Sequence, residues 1–132
     1  MELWRKAWRL GLAPQLPTPA LAALAAGLAD DDESLVQSAT TLPPDLPSAA
    51  AADVCGACAL AYAGWKGLGL QTVAQVSEFF TKTCLEADAA LGEPAACRHF
   101  LDWFDHTRRD RMRQQLLEEV RFTLSQRHSL AA

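Results

Sequence analysis

β-Branched residues are few in this chain, which removes the usual raw material of a sheet. No apolar run approaches the ~20 residues that a bilayer-spanning helix requires, so no membrane partner is expected. There is no basic excess either: the formal net charge is −4, which argues against a general binder of nucleic-acid phosphates. No Walker loop, dinucleotide-binding glycine fingerprint or nucleophile-elbow serine is present. These absences exclude most enzyme classes that carry a motif.

What is present favours helix. Alanine is abundant, half of the 132 residues are apolar and 21% are charged. A chain of this length buries roughly two-thirds of its unfolded surface, enough for a core without disulfides or a metal. The four cysteines therefore imply a reduced, cytoplasmic setting rather than a stapled secreted scaffold. Arginine outnumbers lysine, as in proteins from GC-rich bacterial genes. The basic Met1–Arg9 followed by the Ala/Leu-rich Pro19–Ala29 has the outline of a secretory signal. Glu2, the intervening prolines and the modest hydrophobicity of the second segment favour an ordinary pair of helices.

Helix punctuation is clearest from Thr72 to Gln126. Thr72 with Gln75 forms a capping-box pattern, Gly92 suits the left-handed position after a helix, and Pro94 suits the first turn of the next. Thr107 with Asp110 is a second, box-like start. The spacing predicts helices over Val73–Leu91, Pro94–His106 and Arg108–Gln126, with a frayed tail after Arg127. Upstream, Met1–Leu12 plots as an amphipathic helix with Trp4, Ala7, Trp8 and Leu12 on one side. Thr18 with Pro19 starts a second helix reaching about Ala29, and the acidic run Asp30–Glu33 suits the start of a short third. Residues 40–47 contain three prolines and separate the N-terminal helical pair from a C-terminal bundle. A fourth helix begins at Ser48 or Asp53 and ends near Gly67. Leu68–Val73 is the one short strand candidate.

The cysteines offer three readings. Cys55-Gly-Ala-Cys58 is a CxxC pair, and Cys84 and Cys97 complete four potential thiolate ligands for zinc or an iron–sulfur cluster. The pair alone resembles the dithiol of the alkylhydroperoxidase-D type of helical enzyme, but Ala59, Leu60 and Ala61 follow where that type places a histidine. The third reading is core packing. Cys55, Cys58, Tyr62 and Trp65 fall at helical spacing, Cys84 continues the stripe of Val76 and Phe80, and Cys97 joins Phe100, Leu101 and Phe104. In a straight hairpin Cys84 and Cys97 differ in height by roughly 6 Å, beyond the ~8–10 Å between helix axes, which speaks against shared ligation.

His99, Asp102 and His106 occupy successive turns, opposite the apolar face of their helix, and read as a solvated surface. Arg108, Arg109, Arg111 and Arg113 form a dense basic patch at a helix start, where cations oppose the helix dipole by about 0.3–1 kcal/mol. Phe122 points away from the apolar arc of Met112, Leu116, Leu117, Val120 and Leu124, and Trp103 borders its own helix's apolar face. Trp and Arg are enriched in interface hot spots.

The sequence thus predicts one all-α domain over residues 1–132, a bundle of six or seven short helices with the last three best defined. Its expected function is non-enzymatic: a protein-interaction or adaptor domain, without a cofactor, binding a protein partner through Trp103, Arg108, Arg109, Arg111, Arg113 and Phe122. The alternative is a small thiol oxidoreductase using Cys55 and Cys58.

Overall fold

The computed structural model describes residues 1–131, which form six α-helices and one two-stranded sheet. Helix α1 (Leu3–Ala7) runs directly into a π-helical stretch, Trp8–Leu12, and a 3₁₀ turn, Ala13–Gln15. Its apolar stripe is fully used: Trp4, Ala7, Trp8 and Leu12 are all buried. Pro17 stands before α2 (Thr18–Asp30), with Pro19 in that helix's first turn.

The acidic run does not start a third helix. Asp31 takes the left-handed conformation (φ 51°, ψ 50°) that closes α2, and Asp32 N–H bonds back to the Gly27 carbonyl. The Asp32 carboxylate then accepts from the Tyr62 hydroxyl at 2.6 Å and from Ser34 N–H and hydroxyl at 2.9 and 2.7 Å. The Tyr62 bond is the largest cause, followed by Ser34, that holds the Asp32 carboxyl down to about 2 from its ordinary 3.8. A depressed carboxyl contributes stability above about pH 4 that is lost as the pH falls through its folded value. After allowance for solvent screening, Asp32→Asn should cost about 1–2 kcal/mol near neutral pH. Denaturant unfolding at several pH values should show that deficit shrinking as the pH approaches 2. A deficit independent of pH would mean that the carboxylate charge is irrelevant.

The fourth helix expected from Ser48 or Asp53 to near Gly67 forms only from Ala59; the residues before it make a turn and then an extended segment. β1 (Thr41–Leu42) pairs antiparallel with β2 (Gly56–Ala57), and only a 3₁₀ turn, Pro47–Ala49, intervenes. Helix α3 begins at Ala59 and runs to Leu68, where Gly69 closes it. The small sheet therefore lies elsewhere than the Leu68–Val73 candidate.

Helix α4 (Val73–Leu91) opens with the full Thr72/Gln75 capping box and ends at Gly92, whose φ of 68° is the conformation glycine tolerates without strain. Helix α5 covers Arg98–His106, four residues shorter at its start than the pattern suggests, and α6 covers Arg109–Ala131 without ending at Gln126. The Thr107 hydroxyl donates to the Trp103 carbonyl at 2.6 Å, finishing α5, so the box-like pattern with Asp110 is not used.

Helix α2 is the centre of the bundle, packed on α3 and α6; the π-helical stretch lies against α4, and α1 against α5. One hydrophobic cluster takes side chains from Trp4 to Val120, on both sides of residues 40–47. Cys84, Phe100, Phe104, Leu116 and Val120 are buried within it, while Phe80 is only half-buried at its edge. Among the described residues, no helix is long and apolar enough to cross a membrane.

Candidate functional site

The basic patch divides in two. Arg109 pairs with Asp31 at 2.7 Å and donates to the carbonyls of Leu35 and Asp32 at 2.8 and 3.0 Å. Arg113 donates to Leu28 and Ala29 carbonyls at 2.9 and 3.3 Å, and lies 3.4 Å from Asp31. Two cations at the start of α6 thus neutralise the carbonyl-rich end of α2, which offsets their conflict with their own helix dipole. Arg108 and Arg111 face solvent instead. Arg108 pairs only with the exposed Asp110, at 2.9 Å, a contact of little energetic value.

Trp103 is engaged internally. Its ring stacks on Trp4 with centroids 3.6 Å apart and planes 5° from parallel, and Arg5 covers the Trp4 ring at 4.5 Å. The protein's own N-terminal helix is therefore the layer over Trp103. Phe122 is different: it is 47% exposed, with the Arg9 guanidinium 5.0 Å from its ring centroid.

Arg9 is fixed by Glu119, which the sequence reading did not single out. Glu119 is buried, and its carboxylate receives Arg9 Nε and Nη2 at 2.6 and 2.9 Å, with Arg5 at 3.4 Å. A buried carboxylate demands such partners. The signal in the sequence was its place beside Val120, within the arc of Leu116 and Val120.

Beside Phe122, a groove of about 220 Å³ is lined by Ala13, Pro14, Phe122 and Leu130, with Arg9 and Arg127 at its rim. On α6, Arg111, Glu118 and Phe122 lie on one outward stripe, at ~100° per residue, and Arg108 immediately precedes the helix. Arg111 and Phe122 are separated by roughly 16 Å along the axis. The structure thus places Phe122 and Arg111 on one face of α6, with the exposed Arg108 just before the helix. Trp103, Arg109 and Arg113 serve internal packing.

The CxxC pair does not have the geometry of a dithiol. Gly56–Ala57 is a strand, so the Cα atoms of Cys55 and Cys58 are about 10 Å apart at the rise of extended backbone. A disulfide needs less than about 7 Å. Cys55 is exposed, contrary to its expected place on an apolar helical stripe, because α3 starts only after Cys58. Cys58 is buried, and burial pushes its thiol up to about 11, leaving a poor nucleophile.

Cys84 and Cys97 depart from expectation in the other direction. The straight-hairpin register fails because Asp88 accepts from the N–H groups of Ala95 and Cys97, at 3.1 and 2.9 Å, and folds residues 93–97 back along α4. The two thiols are brought near each other, beside the Asp88 carboxylate that holds the Cys97 N–H. Burial raises both thiols above their ordinary range. Among the described residues, no group of three or more His, Cys, Asp or Glu side chains converges as a ligand set. His99 and His106 lie on the exposed face of α5, 3.9 Å from Glu93 and 2.8 Å from the Asp102 carbonyl respectively.

Comparison with protein families, characterised proteins and solved structures finds no match to this chain.

Proposed function

We propose that this chain is a non-enzymatic protein-interaction domain, acting in the cytoplasm, and that its partner docks on the outward face of α6. The exposed Phe122 carries this reading. A large aromatic left at the mouth of an apolar groove, on a rigid helix, has the character of an interface anchor. Arg111, further along the same face, and Arg108, just before the helix, would favour an acidic stretch of the partner through steering and register. The extended backbone between Cys55 and Cys58 and the burial of Cys58 favour this reading over a thiol enzyme at that pair.

Affinity capture from a bacterial lysate, quantified by mass spectrometry, tests the reading. Phe122→Ala and Arg111→Glu should each lower capture of the wild-type partner at least about tenfold, the effect of losing a hot-spot contact. Both variants should melt at the wild-type temperature, because neither side chain supports the core. If both retain the full set of captured proteins, the partner surface lies elsewhere.

A further inference from the structure

Cys84 and Cys97 are two thiols that the fold brings near each other, and neither the interaction face nor the CxxC pattern pairs them. Cys84 lies on the inward face of α4, one turn before Asp88. Cys97 stands immediately before α5, its N–H held at 2.9 Å by the Asp88 carboxylate. The thiols lie near each other on either side of Asp88, both residues are buried against the same core, and both are free. The loop between them is short, and Asp88 ties its far end to α4 through Ala95 as well.

We propose that Cys84 and Cys97 form an oxidative modification site, closing to an intrachain disulfide when the protein meets a small-molecule disulfide of the glutathione type. The reaction is an exchange in two steps. Cys97 as thiolate attacks the oxidant, forming a mixed disulfide and releasing one thiolate. Cys84, deprotonated in turn, attacks the Cys97 sulfur and expels the second thiolate. The two cysteines lose two electrons between them, the small disulfide is reduced to two thiols, and the two cysteine protons pass to those products. Burial, and after it the neighbouring Asp88 carboxylate, favours the protonated Cys97 thiol. Closure is therefore slow, and the site responds to sustained oxidation rather than to brief exposure. The product joins α4 to the start of α5 across the turn that Gly92 begins.

Peptide mapping reads this without any variant. Cleavage after Lys82 and Arg98 releases a single peptide, Thr83–Arg98, that contains Cys84 and Cys97 and no other cysteine. The folded protein is incubated with oxidised glutathione, denatured, alkylated without reduction and digested. The expected result is that Thr83–Arg98 resists alkylation and is lighter than the reduced peptide by two hydrogens. Oxidation should also raise the melting temperature by about 5 °C, as expected for a cross-link closing a short loop. Cys84→Ala and Cys97→Ala should each abolish the rise. Recovery of Thr83–Arg98 with both cysteines alkylated, while Cys55 alone carries glutathione, would overturn the proposal. So would a glutathione adduct on Cys97 that never resolves to the internal bond.

Discussion

Trp8→Ala should be among the most damaging single changes in this protein, lowering stability by about 3–5 kcal/mol. Trp8 is fully buried in the π-helical stretch, with its ring centroid 5.3 Å from that of Phe100, in a segment that packs on α4. Truncation leaves a cavity between the N-terminal helix, α4 and α5 that those helices cannot all close. Trp8→Phe should cost distinctly less. The indole Nε1 is buried without a hydrogen-bond partner, so a phenyl ring removes an unsatisfied donor while keeping most of the apolar contact. Chemical denaturation of the three proteins checks both statements. Equal losses for the alanine and phenylalanine variants would place the value of Trp8 in its N–H rather than its packing.

Phe104→Ala is the second large effect, again about 3–5 kcal/mol. Phe104 is fully buried, stacks with Phe100 at 6.1 Å, and fixes the side of α5 that faces the core. Its backbone carbonyl also receives Gln37 Nε2 at 2.7 Å, which ties the loop after α2 to the end of α5. A loss of helix α5 should therefore loosen that loop as well. Hydrogen exchange of the variant should show faster exchange around Gln37 than a purely local cavity would cause. An unfolding shift near zero would mean that Phe104 does not anchor α5.

Local signals explain which parts of this fold could be read in advance. Helix α4 was legible at both ends because its start and stop are written within four residues of each boundary, in Thr72, Gln75 and Gly92. The apolar face of α1 was legible for the same reason, as periodicity needs no partner to be seen. The segment before α3 was not. Residues 48–58 are rich in alanine and favour helix by propensity, but 48–52 form a turn and the partners that hold 53–58 extended are distant in sequence. Ala57 N–H bonds to Ser34, Val36 N–H to Ala57, Cys55 N–H to Leu42 and Cys58 N–H to Thr40. Tertiary hydrogen bonding overrode propensity there.

The start of α5 failed for a related reason. Pro94 suits a first helical turn, but the Asp88 carboxylate captures N–H groups seven and nine residues onward, and the helix waits until Arg98. That one side chain brings Cys97 back toward Cys84, where a straight hairpin would hold the two apart. The candidate surface was half legible. Sequence alone showed that four arginines clustered at a helix start, and that something had to offset their conflict with the dipole. It could not show that the offset for Arg109 and Arg113 is the end of α2, some 80 residues earlier. Trp103 likewise matched the profile of an interface residue because its true partner, Trp4, lies at the other end of the chain. Phe122 was recoverable because its direction follows from helical spacing alone.

The most direct test of the proposed interaction face is site-specific photocrosslinking. A benzophenone-bearing amino acid is placed at position 122 on α6, and, in a separate protein, at position 85. Leu85 is an equally apolar exposed residue, 64% accessible, but it lies on α4 in a different depression with Ala74 and Thr81. On irradiation in a bacterial lysate, the account expects a discrete protein adduct from position 122, suppressed by Arg111→Glu, and none from position 85. An adduct that forms from position 85 and not from position 122 would contradict it.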